Sequence, residues 1–440
     1  MISKFKYFTK ISFVQDVSVL GIGNSFSIFL GAISSIILAR LLHPELYGIY
    51  GLVFAFVGLV GIFMNWGGNS ASLTLLAEAY AQKNKEEIKN ILTYFIQITI
   101  LAICIIGILS VIFAPFLTEL FYHNSQIGHW ARIILLASFI TFIYNLLIIV
   151  LQITRKIKQL TILEIFNKLV YILLSIIFVL LGFGLNGIIW GYFISVFIFL
   201  ILSFFLYLYF SKKDNLLPSL DQIFFNFRKI RFKKYFNFGF SIAIGKNLNS
   251  LISFLPIIFL GAFASVQEVG YFKIALGYIT IPSMLLGPVS RLLAVQLPKS
   301  KSYNLKILKE HFYKTTLYSG LISILLVVPF IILAPYLIKL FYGAEYLPGI
   351  ELVYYLAILT VFSGFSIGIG PFFRTFDKMK IIIITNICYV VLMVLLMSIS
   401  VRIYNSLIAI ILSMIICATI FLLLHFFIIM RVLKNTEKNN

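Results

Sequence analysis

Lys246 has the most chemistry to offer in this chain. It stands about ten residues into the apolar run Phe238–Leu260. At ~1.5 Å per helical residue that is ~15 Å deep, near the middle of a ~30 Å hydrocarbon core. A cation there costs at least about 2.5–3.5 kcal/mol on insertion scales. Snorkelling covers only part of the way back to water. Either it snorkels or pairs locally all the same, or it faces a water-filled pathway in which the ammonium meets an anion. Its neighbours at helical spacing, Ile242, Ala243, Asn249 and Ser250, include no carboxylate, and Asn247 follows it directly.

Three further polar positions stand in apolar surroundings. Asn24 lies in Gly23-Asn24-Ser25, which lines up with Gly245-Lys246-Asn247 later in the chain. It reads either as an interhelical hydrogen bond or as a second wall of the same pathway. Lys168 follows Glu164 by four residues in the favourable order, so a local ion pair competes with a ligand contact. Arg291 lies near the end of a span, where snorkelling serves as well as a ligand. None of the fifteen Asp and Glu falls at the centre of a span.

Other chemistry is excluded. Cys104, Cys388 and Cys417 all lie in apolar spans, which argues against a disulfide framework or a metal site, and the five histidines lack ligand spacing. Gly239 to Asn247 imitates a phosphate-binding loop but has five residues between its glycines and Asn where Ser or Thr would hold Mg²⁺. No loop carries a Ser/His/Asp set or a close carboxylate pair, so the expectation is no catalytic residue, no metal and no cofactor.

The elements that hold these residues are apolar spans. The chain has 440 residues, 61% of them hydrophobic and 11% charged, with a mean hydropathy of +1.05. That composition predicts an all-α polytopic membrane protein. About twelve spans can be placed, near 17–39, 50–72, 91–114, 132–152, 160–182, 186–209, 237–261, 270–292, 315–338, 351–373, 381–401 and 404–430. The basic, aromatic start up to Phe13 reads as an interfacial helix leading into the first span. The net charge of +20 is concentrated in alternate connections, such as Lys83, Lys85, Lys89; Arg155, Lys156, Lys158; and Arg374, Lys378, Lys380. The positive-inside rule then explains it without nucleic acid and puts both termini in the cytoplasm; an inner (plasma) membrane location is expected. The outside connections are too short for a catalytic domain. After the second and eighth spans, Leu73–Leu92 and Arg291–Phe312 read as polar or amphipathic surface helices.

The polar, basic connection 211–236 divides the chain into six-span bundles at 1–210 and 237–440. The two repeat each other. Ala114–Tyr122 matches Ala334–Tyr342, Gly48 matches Gly270, and Lys156-Ile157-Lys158 matches Lys378-Met379-Lys380, all at an offset of about 220 residues. Six spans per half is an even number, so the repeats are parallel, with a central cavity expected between them.

Leu38-Ala39-Arg40-Leu41-Leu42-His43-Pro44-Glu45-Leu46-Tyr47-Gly48-Ile49-Tyr50 closes the first span. It resembles the polysaccharide biosynthesis (O-antigen flippase, Wzx-like) transporters of the multidrug/oligosaccharidyl-lipid/polysaccharide (MOP) superfamily. After the second span such proteins often carry an acidic Asp-Leu-Gly-Leu stretch; here Asn65-Trp66-Gly67-Gly68 stands instead. The resemblance implies a carrier that moves a polyprenyl-diphosphate-linked oligosaccharide from the inner to the outer leaflet, beside other polysaccharide assembly proteins. Lys246, with Lys168 and Arg291 as further candidates, would meet the diphosphate. Asn24, Asn247, Asn249 and Ser250 would meet glycan hydroxyls, and membrane lipid would hold the tail. Two alternatives compete. A cation-coupled multidrug exporter usually wants a buried carboxylate, and a glycan polymerase or ligase needs a large outside loop. A peptidoglycan-precursor flippase would have two further spans.

Overall fold

The computed structural model describes residues 12–227, 232–284 and 286–439. The expected interfacial helix before residue 12 and the linker residues 228–231 lie outside the described residues, as does the side chain of Arg291. The described chain is helical throughout: α1 Ser12–Met64, α2 Gly68–Ala81, α3 Lys85–Ala102, α4 Ile108–Tyr122, α5 Ser125–Ile153, α6 Ile157–Phe178, α7 Gly184–Lys213, α8 Leu220–Phe225, α9 Phe232–Phe263, α10 Val266–Met284, α11 Gly287–Tyr303, α12 Leu305–Phe341, α13 Ile350–Ser366, α14 Ile369–Thr375, α15 Met379–Ser400 and α16 Ser406–Asn439. Helices are what apolar runs must form in lipid, where each backbone N–H and C=O has to be satisfied within the segment.

Nine helical stretches among the described residues are long and apolar enough to cross a membrane. Many large apolar side chains point outward from them, including Phe116 and Leu325. Exposed apolar surface on that scale belongs against lipid, so the protein is a multi-pass membrane protein. Two of the stretches, Val19–Met64 with 46 residues and Ile157–Lys213 with 57, are too long for one crossing. Each is broken. His43 takes φ 59° and ψ 168° just before Pro44, which can donate no hydrogen bond. Gly182 and Gly184 break the second at positive φ.

The packing divides the chain into two units. One holds Met1–Leu42 and Phe56–Asn247, the other His43–Ala55 and Leu248–Asn440. The first has a core in which Tyr94, Phe199 and Tyr207 are fully buried, and the second a core around Phe312, Phe372 and Phe373.

The repeat is visible in backbone detail. Asn84 caps α3 by accepting from the N–H of Glu87, and Asn304 caps α12 by accepting from Lys306. Ala114 and Ala334 are both fully buried, while Phe116 and Tyr336 are 64% and 73% exposed. Arg155 and Asp377 both take φ 55° just past a helix end, and the next N–H reaches back to Leu151 and Phe373 respectively. The matched glycines meet. A Cβ on Gly48 would strike the carbonyl oxygen of Val266, and one on Gly270 that of Pro44. Each glycine thus meets, in the other repeat, the residue four before its own counterpart, as two-fold-related helices would.

The surface helices expected at Leu73–Leu92 and Arg291–Phe312 are corrected. Each is a corner between two helices, at 82–84 and at Asn304. In the first, Lys83 at φ 55° ends α2 and the Asn84 side chain starts α3.

Candidate functional site

The break after α1 builds the site. Asn65, Trp66 and Gly67 leave helical geometry, with Gly67 at φ 83°. Only glycine fits there, since a Cβ would collide with the backbone carbonyl of Gly239 on α9. Gly239 lacks a side chain too, so the backbones touch, and its own Cβ position lies 3.0 Å from Ala71. This contact brings residues 65–71 against residues 239–247.

Lys246 sits on that seam. Its Nζ donates to Ser70 Oγ at 2.7 Å; Lys246 is exposed and Ser70 half-buried. Lys246 makes no ion pair with any described residue, so among these its one polar partner is a hydroxyl. The next residue locks the seam. Asn247 Nδ2 donates to the carbonyls of Ile62 (3.0 Å) and Asn65 (2.9 Å), and its Oδ1 accepts from Asn65 Nδ2 at 2.8 Å. The carbonyls freed where α1 ends are therefore capped by a side chain from α9.

The other expected residues fall in separate places. Lys168 donates to the backbone carbonyl of Ser27, and its Nζ lies 2.9 Å from where a Cβ on Gly31 would stand. No ion pair joins it to Glu164. The local pair is corrected: the lysine reaches across to the first span, whose glycine notch leaves room for its stem. Asn24 shares the face of Ser27 and Gly31 by helical spacing, is exposed, and has no hydrogen-bond partner among the described residues. In the second unit Asn249 accepts from Asn386 Nδ2 at 3.1 Å, with Ser250 next to it on α9. Arg291 lies in α11.

Four participants escaped the sequence reading. Asn65, Ser70 and Asn386 became visible only through their partners, although the run Asn65 to Ser70 is polar enough to have drawn attention. The fourth is Lys273. The sequence places it at the outer end of a span. In the structure it lies two turns into α10, with Nζ 3.5 Å from the ring centre of Tyr50 and 4.6 Å from that of Tyr47. Its stem lies 3.1 Å from where a Cβ on Gly51 would stand. The spacing of Tyr47, Tyr50 and Gly51 on one face was the available signal. This lysine is held by aromatic faces.

Solved structures share this architecture. A multidrug resistance MATE family transporter of the MOP superfamily in an inward-facing conformation superposes with a TM-score of 0.75 at 17% identity, over 96% of this chain and 99% of that one. The lipid II flippase MurJ gives 0.68 at 17% identity, over 92% and 86%. A MOP superfamily transporter from Pyrococcus furiosus gives 0.62 at 19%, over 96% of each chain. The chain shares the fold of these solved structures. Residues 37–351 match the family model described as "Polysaccharide biosynthesis protein", and the chain belongs to that family. It is also 22% identical over 129 residues to the teichuronic acid biosynthesis protein TuaB of Bacillus subtilis strain 168. That match takes in 29% of this chain and 27% of TuaB.

Proposed function

We propose that the protein is a flippase for a lipid-linked glycan, moving a polyprenyl-diphosphate-linked oligosaccharide from the inner to the outer leaflet of the cell membrane by alternating access. In this reading about twelve spans form two six-span halves, both termini are cytoplasmic, and other polysaccharide assembly proteins supply and consume the cargo. One observation carries the proposal: Lys246 stands within an apolar helix with a hydroxyl as its hydrogen-bond partner and no carboxylate paired to it. A diphosphate must shed much of its hydration to cross a low-dielectric slab, and an uncompensated ammonium lowers that cost. Membership of a polysaccharide biosynthesis family supports the glycan. The MATE-like fold leaves drug export as the competing reading, but cation export draws on a carboxylate, and the polar seam offers a cation.

The test is glycan export in cells whose surface polysaccharide depends on this protein. Lys246→Ala should reduce export at least ~10-fold, equivalent to about 1.4 kcal/mol, with the protein still inserted. Lys246→Arg should keep part of it. Normal surface glycan in the alanine variant, or energy-dependent efflux of ethidium by the wild type, would overturn the reading.

A further inference from the structure

Next to the Lys246 seam, inside the first unit, is a cavity of about 130 Å³. Its wall includes Trp66, Asn69, Phe95, Thr99, Phe142 and Asn145, and no charged residue. The volume is well below the ~300–1,000 Å³ of a drug-sized site, so it takes one small ring and not an oligosaccharide.

The wall specifies the ring. The carboxamides of Asn69 and Asn145 have no hydrogen-bond partner among the described residues, so each offers donors and an acceptor to whatever fills the space. The hydroxyl of Thr99 donates to its own helix, to Phe95 O at 2.8 Å. Thr141 and Ser138, also on the wall, do the same. The hydroxyl oxygens of Thr99 and Thr141 are left as acceptors for incoming O–H groups, while that of Ser138 also meets the Tyr192 hydroxyl. Trp66 donates its indole N–H to Phe63 O at 2.8 Å, so the rest of the ring offers only apolar surface. Free carboxamides, waiting acceptors and aromatic faces, all uncharged, suit a neutral ring with many hydroxyls and one apolar face. A π-helical turn, Ile103–Gly107, begins at the wall, and such irregularities gather at functional sites.

The position specifies which ring. Asn69 immediately precedes Ser70, the residue bonded to Lys246, and Asn65 belongs both to the wall and to the seam. We propose that this cavity is the subsite for the first sugar of the lipid-linked glycan, the one joined directly to the diphosphate, and that it selects a neutral sugar there. The proposal rests on the flippase reading. Lys246 would hold the phosphate while Asn69 and Asn145 read the adjoining hydroxyls.

The experiment compares equilibrium binding by the full-length protein in lipid nanodiscs. The probes are undecaprenyl diphosphate and its N-acetylglucosamine, galactose and glucose derivatives. The wild type should bind at least one derivative ~10-fold more tightly than the bare lipid, as one or two well-made hydrogen bonds allow. Asn145→Leu and, separately, Asn69→Leu should bring that ratio to about one. Lys246→Ala should weaken every probe and leave the ratio standing. If the wild type binds the bare lipid and prefers no derivative, or if the preference survives both leucine variants, the subsite is overturned and the flippase reading stands. If the wild type binds none of the four, the flippase reading fails and the subsite with it.

Discussion

At the scale of single residues, the decisive question for each membrane-embedded lysine is what solvates its charge. Lys168 is satisfied by a backbone carbonyl, Lys273 by two aromatic faces, and Lys246 by one hydroxyl. Each oxygen partner takes one of an ammonium's three N–H donors; Lys168 is half-buried against the first span, whereas Lys246 is exposed and keeps its other two donors open to a ligand. Lys168 therefore links α6 to the first span. Lys168→Met should lower stability by about 1.5–3 kcal/mol, the range for a hydrogen bond to a charged group. Glu164→Ala should stay within about 0.5 kcal/mol, as unpaired exposed positions do. Thermal unfolding in detergent separates the two, and equal losses would restore the Glu164–Lys168 pair. The apolar context of Lys168 and Lys246 was legible in the sequence, whereas Lys273 read as the outer end of a span. Their partners were not, because each lies on a different helix or, for Ser70, 176 positions away.

At the scale of elements, two backbone features carry the arrangement. Gly67 holds a left-handed conformation pressed against Gly239. Gly67→Ala adds about 1–2 kcal/mol of backbone cost and a steric collision, which should part the seam and displace Lys246 from Ser70. The expected result is a lower unfolding temperature together with a loss of export comparable to that of Lys246→Ala. Wild-type export in this variant would mean that the seam does not position the lysine. Asp377 marks the opposite case: a non-glycine residue held at φ 55° in the turn between α14 and α15. Asp377→Gly should raise stability by about 0.5–1 kcal/mol, seen as a higher melting temperature. Apolar runs made the helices predictable, and Pro44 and Gly182 hinted at breaks. The ends near Lys83 and Asn304 were misread because an amphipathic pattern continues through the corner, and only cap geometry shows the chain turning.

At the scale of the whole molecule, the sequence repeat organises the chain. The matched caps at Asn84 and Asn304, the matched turns at Arg155 and Asp377, and the reciprocal contacts of Gly48 and Gly270 carry it from sequence into backbone geometry. The charge bias belongs to this scale too, because orientation is a property of all the loops together. If both termini are cytoplasmic, a fluorescent protein fused after Asn440 should fold and fluoresce. Alkaline phosphatase fused after Asn124 or Gly343 should be active, because it works only outside the cytoplasm. Activity of the phosphatase at the C-terminus would reverse the orientation.

By itself the sequence determined the membrane class, the helical architecture, the repeat and the presence of a costly cation in an apolar helix. These follow from composition and period, which act locally or add along the chain. The tertiary structure decided what that cation meets. A residue's solvation depends on neighbours brought in from elsewhere, and those depend on where two backbones can touch. Here they touch at Gly67 and Gly239, where neither residue has a side chain to keep the helices apart, and that contact sets Lys246 against Ser70.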